Sequence, residues 1–380
     1  MDFGLGQRQR DLANRVEQAC RTHCSPEQES RRDASPEFPD ELYRALGSAG
    51  ILGCTLPAEY GGEDGGFLDR CVIAETLGRF STTAVSIYFV ANICATMIAE
   101  AGTDAQRGQL LPALASGDMR LAFALTEPEA GSDAGAIAAH AVGDGDHVVL
   151  EGTKLFTTGA RDADYILTVV RTSRDQKASR GSSVFLVPAN SAGLRIESLP
   201  KIASTSHATC QVRYESVRVS RDALLGQRDG AWPLLVRGSA VERLCIAAWL
   251  CGMARTVIDD LIQFARNRVQ FGQPISGFQA VQHQIADLAT HAQAMRWLTY
   301  HAAWQADREP PAALEINMAK VFNTETAHRI VTTAMRLAGG RAFFADSTLP
   351  RLLRESTFAF YAGGTLEIQR NVIARELGLK

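Results

Sequence analysis

The chain has no paired CxxC, no apolar run in residues 1–15, no excess of one charge and no low-complexity tract, and each absence bears on a class of protein. Its eight cysteines (Cys20, Cys24, Cys54, Cys71, Cys94, Cys210, Cys245 and Cys251) are scattered, most of them in apolar runs. Cys20, His23 and Cys24 have no second ligand pair at finger-like spacing, so no metal is expected. The cysteines read instead as small buried hydrophobes in a reducing compartment. Lysine and arginine number 39 against 42 acidic residues, for a net charge of −3. Nucleic-acid binders carry a basic excess to match the phosphates, so no nucleic-acid partner is expected. The longest apolar stretch, residues 83–98, carries Ser86 and Asn92 and reads as short of a membrane span, so no membrane insertion is expected. Residues 1–15 lack the apolar core of a secretory signal, which makes the cytoplasm the expected location.

What is present is 380 residues with 46% hydrophobic side chains, enough for two or three packed units. Texture divides them into three zones, expected as domains over 1–119, 120–229 and 230–380. The first is helical: Pro39-Asp40-Glu41-Leu42 opens an amphipathic segment, residues 57–62 break the pattern, and helical spacing resumes at Asp69–Gly78 and runs past Met97. The second reads as strand. HVVLEG, YILTVV, SSVFLV and CQVRYESVRV are short and rich in β-branched residues, and Gly143-Asp144-Gly145-Asp146 joins two strands as a hairpin. In the third, Val241, Leu244, Ala248, Cys251, Ile258, Leu261 and Ala265 recur at helical steps. Helices, a block of strands and helices again predict an α+β fold rather than alternating βα units.

Two strand-end strings carry the chemistry. LAFALTEPEAGSD, residues 121–133, reads as a strand ending in a Pro and Gly loop with Thr126 and Ser132 on either side. GTKLFTTG, residues 152–159, sets Phe156 beside Thr157 and Thr158. Alone, each is compatible with an ordinary turn or strand pair. Together, an aromatic ring and hydroxyl donors suit a flat, polar-edged ring system such as a flavin.

Over the whole chain these strings resemble the acyl-CoA dehydrogenase family. LTEPEAGSD is close to the family's LTEPGAGSD. Arg268-Val269-Gln270-Phe271-Gly272 with Phe278-Gln279-Ala280-Val281 is similar to RxQFGxPI…FQAV. Ala338-Gly339-Gly340 and Gly364-Thr365-Leu366-Glu367 follow in the family's order. The resemblance implies an N-terminal helical domain, a central β-barrel-like or sandwich domain and a C-terminal four-helix bundle. It implies FAD as cofactor. Phe123, Leu125, Thr126 and Ser132 would line the flavin and the head of the thioester, with Phe156 and Thr158 along the ring. Arg268, Phe271, Gln279, Arg336 and Gly340 would reach the nucleotide half of an FAD held mainly by a neighbouring subunit, and Thr365 with Glu367 would close over it. A bridged FAD implies a homo-oligomer, in the family a tetramer, with an electron-transfer flavoprotein as acceptor.

Removing two hydrogens beside a thioester needs a base for the α-proton, and a desolvated carboxylate suits that task. Many family members supply it from a YEGT string. Here the string is Ala362-Gly363-Gly364-Thr365, so the usual base is absent. The long-chain and isovaleryl branches look similar to Glu242-Arg243, with glycine in the late string, and the resemblance points to Glu242 as base. Its helical neighbours are Cys245, Ile246 and Trp249, and the uncharged run Leu244–Met253 predicts a buried helix. Arg243, Ser132 and Gly364 would contact substrate, and the Gly363 backbone N–H would donate to the thioester oxygen.

The chain also departs from the family. Arg336 stands for a glutamine and Gly159 for an asparagine, and Lys201–Thr209 lacks the Gly-x-Arg-x-Ser pattern that borders the carrier end of the substrate. His207 in that segment reads as a surface residue. The departures leave two further functions open: the same oxidation on an acyl or aminoacyl group carried by an acyl carrier protein, and a flavin monooxygenase, which lacks the base. Intact Thr126, Thr158 and Glu242 weigh against a scaffold without turnover.

Overall fold

The computed structural model describes residues 4–173, 177–344 and 347–379. In chain order the first helices are α1 (Gln7–His23), α2 (Pro26–Ala34), α3 (Asp40–Ser48), α4 (Phe67–Gly78), α5 (Thr82–Ala101) and α6 (Asp104–Ser116). Strands β1 (Leu121–Ala124), β2 (His140–Asp144), β3 (His147–Thr158), β4 (Tyr165–Arg171), β5 (Ser182–Pro188), β6 (Leu194–Ser198), β7 (Thr209–Ser220) and β8 (Leu224–Leu225) follow. The chain then forms α7 (Ala231–Asn267), a small hairpin of β9 (Val269–Gln270) and β10 (Gln273–Pro274), and α8 (Gln279–Arg308), α9 (Ala313–Ala338), α10 (Thr348–Phe358) and α11 (Leu366–Glu376). Helices, sheet and helices come in the expected α+β order.

Compactness groups these elements into two units. One holds Met1–Asp33, Gly66–Val85 and Arg243–Lys380; the other holds Ala34–Gly65 and Ser86–Glu242. In the helical unit α4 begins where Asp307 of α8 accepts hydrogen bonds from the N–H groups of Phe67 (2.6 Å) and Leu68 (3.0 Å). That carboxylate satisfies donors the helix cannot pair itself and lies at the positive end of its dipole. From α7, Leu244–Leu250 are all buried, as the uncharged run predicts, and each large side chain there contributes roughly 1.5–3 kcal/mol.

In the other unit one sheet runs β6-β7-β3-β2-β4-β5-β8, with β1 paired to β4 in parallel. Its core includes Leu150, Ile166, Val187, Val212 and Tyr214, contributed by alternate residues of facing strands. Helix α5 is 20 residues long and, by length and composition, apolar enough to cross a membrane. This corrects the reading of that stretch as too short, because the helix extends past the apolar run at both ends. Its most apolar window is 89% buried inside the protein, the condition of a core helix.

Candidate active site

Strand β1 delivers Phe123 and, just beyond its end, Leu125 and Thr126, all half-buried, while Ser132 lies exposed on the loop that follows. Leu155 N–H of β3 donates to Thr126 O at 2.8 Å, so the two sequence strings meet through the backbone. Lys154, fully buried, donates from Nζ to Leu125 O at 2.9 Å and to Glu127 Oε1 at 2.7 Å. Glu127 in turn accepts from Ala138 N at 2.7 Å and Ala139 N at 3.0 Å. Burial pulls the Lys154 ammonium down to about 8, opposed by the carboxylate beside it.

Between Lys154 and Thr157 the pairing of β3 with β7 slips, and the bulge re-aims the chain. Phe156 takes φ +59° there and stands 62% exposed. A phenylalanine with left-handed backbone costs on the order of 1–3 kcal/mol, so the surrounding sheet must impose it. Thr158 Oγ1 lies 3.0 Å from Thr209 Oγ1.

His207 is the main correction at the level of single residues. Expected at the surface, it is 3% exposed, its Nδ1 lies 2.8 Å from Ser86 Oγ, and its ring meets Phe38 edge-on. A Cβ on Gly159 would stand 2.9 Å from His207 Nε2, so the glycine leaves the room that the imidazole fills. Phe38, Tyr43, Ile87, Val90 and Arg120 complete a small cleft around the ring. Burial, then the Lys201 and Arg161 charges, push the imidazole down to about 3, so it is neutral near pH 7. Lys201 Nζ donates to His207 O at 2.7 Å.

In the helical unit Gly363 O accepts from Arg243 Nε at 2.8 Å and from Gln369 Nε2 at 2.7 Å. Gln369 is fully buried and also donates to Gly364 O at 3.1 Å. Thr365 caps α11, its Oγ1 accepting from Ile368 N, and Glu367 is exposed in the first turn. The β9–β10 turn holds Phe271 at φ +51° and Gly272 at φ +80°, leaving Phe271 94% exposed between exposed Arg268 and Gln279. Arg336, in the last turn of α9, donates to Gln284 Oε1 at 3.1 Å, and beyond its own chain neighbours nothing lies within 4 Å of where a Gly340 Cβ would be. Glu242 and Arg243 are consecutive half-buried residues of α7.

Family models for the acyl-CoA dehydrogenase N-terminal, middle and C-terminal domains match residues 6–118, 122–217 and 231–378. The chain belongs to the acyl-CoA dehydrogenase family. A probable acyl-CoA dehydrogenase, YngJ, from Bacillus subtilis (strain 168) is 32% identical to it over 379 residues, covering 99% of this chain and 100% of that protein. Among solved structures, PigA with FAD and proline superposes with a TM-score of 0.94 at 26% identity, covering 100% of both chains. The prolyl acyl carrier protein oxidase AnaB gives 0.92 at 26% identity, covering 99% of this chain and 100% of that one. This acyl-CoA dehydrogenase relative is thus a flavoprotein oxidoreductase with an N-terminal helical, a middle β and a C-terminal helical domain, and its cofactor is FAD.

The residues present fit that cofactor. An exposed ring imposed by a bulge, with a hydroxyl two residues on, suits the flavin, and the open surface at Phe271 and Gly340 suits a nucleotide. Motif reading had missed the Lys154–Glu127 pair, the Ser86–His207 contact and Gln369. Glu127 and Lys154 lie inside the recognised strings and Gln369 two residues past the last of them, which was the one available signal.

Proposed function

We propose that the protein oxidises an acyl thioester to its 2-enoyl form, with Glu242 as the base. The supporting observation is that position 363, the place of the usual glutamate, is a glycine, while a half-buried Glu242 stands at the head of the buried run of α7. Glu242 takes the α-proton of the substrate. Gly363 N–H donates to the thioester oxygen as negative charge grows there, and donors fixed before the reaction need no reorganisation during it. Gly363 and Gly364 carry φ +67° and +92° and have no side chains to hold them, so Arg243 and Gln369 keep the loop in place through the Gly363 carbonyl. FAD, when bound, supplies the two-electron acceptor for the β-hydrogen.

In this reading Phe123, Leu125, Thr126, Ser132, Phe156 and Thr158 hold the flavin and the reacting end of the chain. Arg268, Phe271, Gln279, Arg336, Gly340, Thr365 and Glu367 take the nucleotide half of an FAD shared with a second subunit. All of them but the half-buried Thr365 are exposed, which supports a meeting with another molecule. An electron-transfer flavoprotein is the acceptor.

Anaerobic titration of the purified yellow protein with a panel of thioesters, followed by flavin bleaching, tests the assignment. Glu242→Gln should retain FAD and slow bleaching by on the order of 10²–10⁴-fold, the range for a lost general base. Bleaching at the wild-type rate in that variant overturns it.

A second reading, oxidation of a carrier-protein thioester, is favoured by the segment Lys201–Thr209. His207 turns inward to Ser86, and Lys201 is engaged by the His207 carbonyl, so neither side chain is presented to a nucleotide at the carrier end. Similarity to AnaB points the same way. Faster bleaching by a carrier-protein thioester than by the matched CoA thioester would select this reading.

A further inference from the structure

The Lys154–Glu127 pair has no part in the chemistry above, and its geometry ties together both strings assigned to the flavin. We propose that Lys154 and Glu127 are positioning residues for FAD, a buried clamp that sets the 125–139 loop in its flavin-binding shape before the cofactor arrives. This rests on the flavin placement proposed above.

The carboxylate holds both ends of the loop. Through Lys154 Nζ it is linked to Leu125 O at the near end, and it accepts directly from Ala138 N and Ala139 N at the far end. Between those ends Glu129, Gly131, Ser132 and Asp133 are exposed; inside the loop lie a narrow Glu127–Ala130 turn and a short turn in which Asp133 accepts from Gly135 N and Ala136 N. Lys154 also belongs to β3, immediately before Leu155, whose N–H donates to Thr126 O, and two residues before the exposed Phe156. One ammonium therefore fixes the end of β1 against the bulge of β3.

Stability alone does not account for the pair. A buried ion pair gains little over apolar residues of the same shape, because desolvating both charges offsets their attraction. The depressed Lys154 proton affinity reflects that cost. A sheet needing only cohesion at this point is served as well by uncharged side chains. What charge adds is convergent, directional hydrogen bonding, which here fixes the backbone on which FAD would rest.

The test compares FAD binding with folding. Apoprotein is titrated with FAD by flavin fluorescence, and thermal unfolding of the same apoprotein is measured alongside. Lys154→Met or Glu127→Gln alone leaves one group without its partner and should lower both unfolding temperature and affinity. The double variant Lys154→Met/Glu127→Gln removes both charges and should regain most of the unfolding temperature, while its FAD dissociation constant stays raised by about tenfold or more, the equivalent of about one lost hydrogen bond. Wild-type affinity in the double variant overturns the proposal. A second measurement needs no variant: in wild-type apoprotein the amides of Ala138 and Ala139 should resist hydrogen exchange before FAD is added. Free exchange that slows only with FAD shows a loop shaped by the cofactor and also overturns it. Wild-type apoprotein that fails to bind FAD at all would instead sink the flavin placement.

Discussion

His207 shows how far one side chain departs from what its neighbours in sequence suggest. A polar residue in Ser204-Thr205-Ser206-His207 reads as loop surface, yet the ring is drawn inward by Ser86, 121 residues earlier, and by the space Gly159 leaves. Neither partner is visible locally, so the motif reading found the departure but not its consequence. The unfolded state, with an ordinary imidazole near 6.5, binds a proton that the folded state refuses down to about 3. Stability at this site is therefore full above the unfolded value and is lost as pH falls between the two. His207→Gln should flatten the acid limb of a plot of unfolding temperature against pH; an unchanged slope would mean that the ring titrates normally. Glu242 is proposed as the base for the opposite reason. An acidic residue leading an uncharged helical run is a local contradiction, and local contradictions are where function tends to lie.

Among the elements, strands were legible in position but not in length. Alternation in β3 and β7 marks their faces, whereas the two slips between them, at Leu150/Gly152 and Lys154/Thr157, follow from pairing that sequence does not display. The exposure of Phe156 is a product of the second slip. Helices α4 and α7 gave a clear periodic signal but hid how closely they approach. A Cβ on Gly252 would lie 2.0 Å from Glu75 O, and one on Gly78 would lie 2.5 Å from Trp249 O. Backbone cannot yield as a flexible side chain can. Gly252→Ala should therefore destabilise the protein by about 1–3 kcal/mol, despite alanine's better helix propensity of about 1 kcal/mol. Chemical denaturation measures this, and a neutral or stabilising result would show that the two helices separate without cost.

For the whole molecule, the motifs carried the family and the cofactor, since four strings in fixed order from Leu125 to Glu367 reflect one ancestry. They could not carry the acyl group, which depends on side chains lining a pocket rather than on any string. Phe271 offers a test at this scale. Because it is 94% exposed, Phe271→Ala should leave the unfolding temperature of the apoprotein unchanged, while weakening FAD binding if its ring covers a nucleotide held by a second subunit. Unaltered binding, measured by fluorescence titration, would remove Phe271 from the cofactor site. The cysteines offer another handle. All eight are buried and outside any disulfide, five in the helical unit and three in the other. A thiol-reactive dye is thus a built-in clock for opening: with increasing denaturant, labelling in a single step of eight would report one cooperative melt, and steps of five and three would show each half of the chain coming undone on its own schedule.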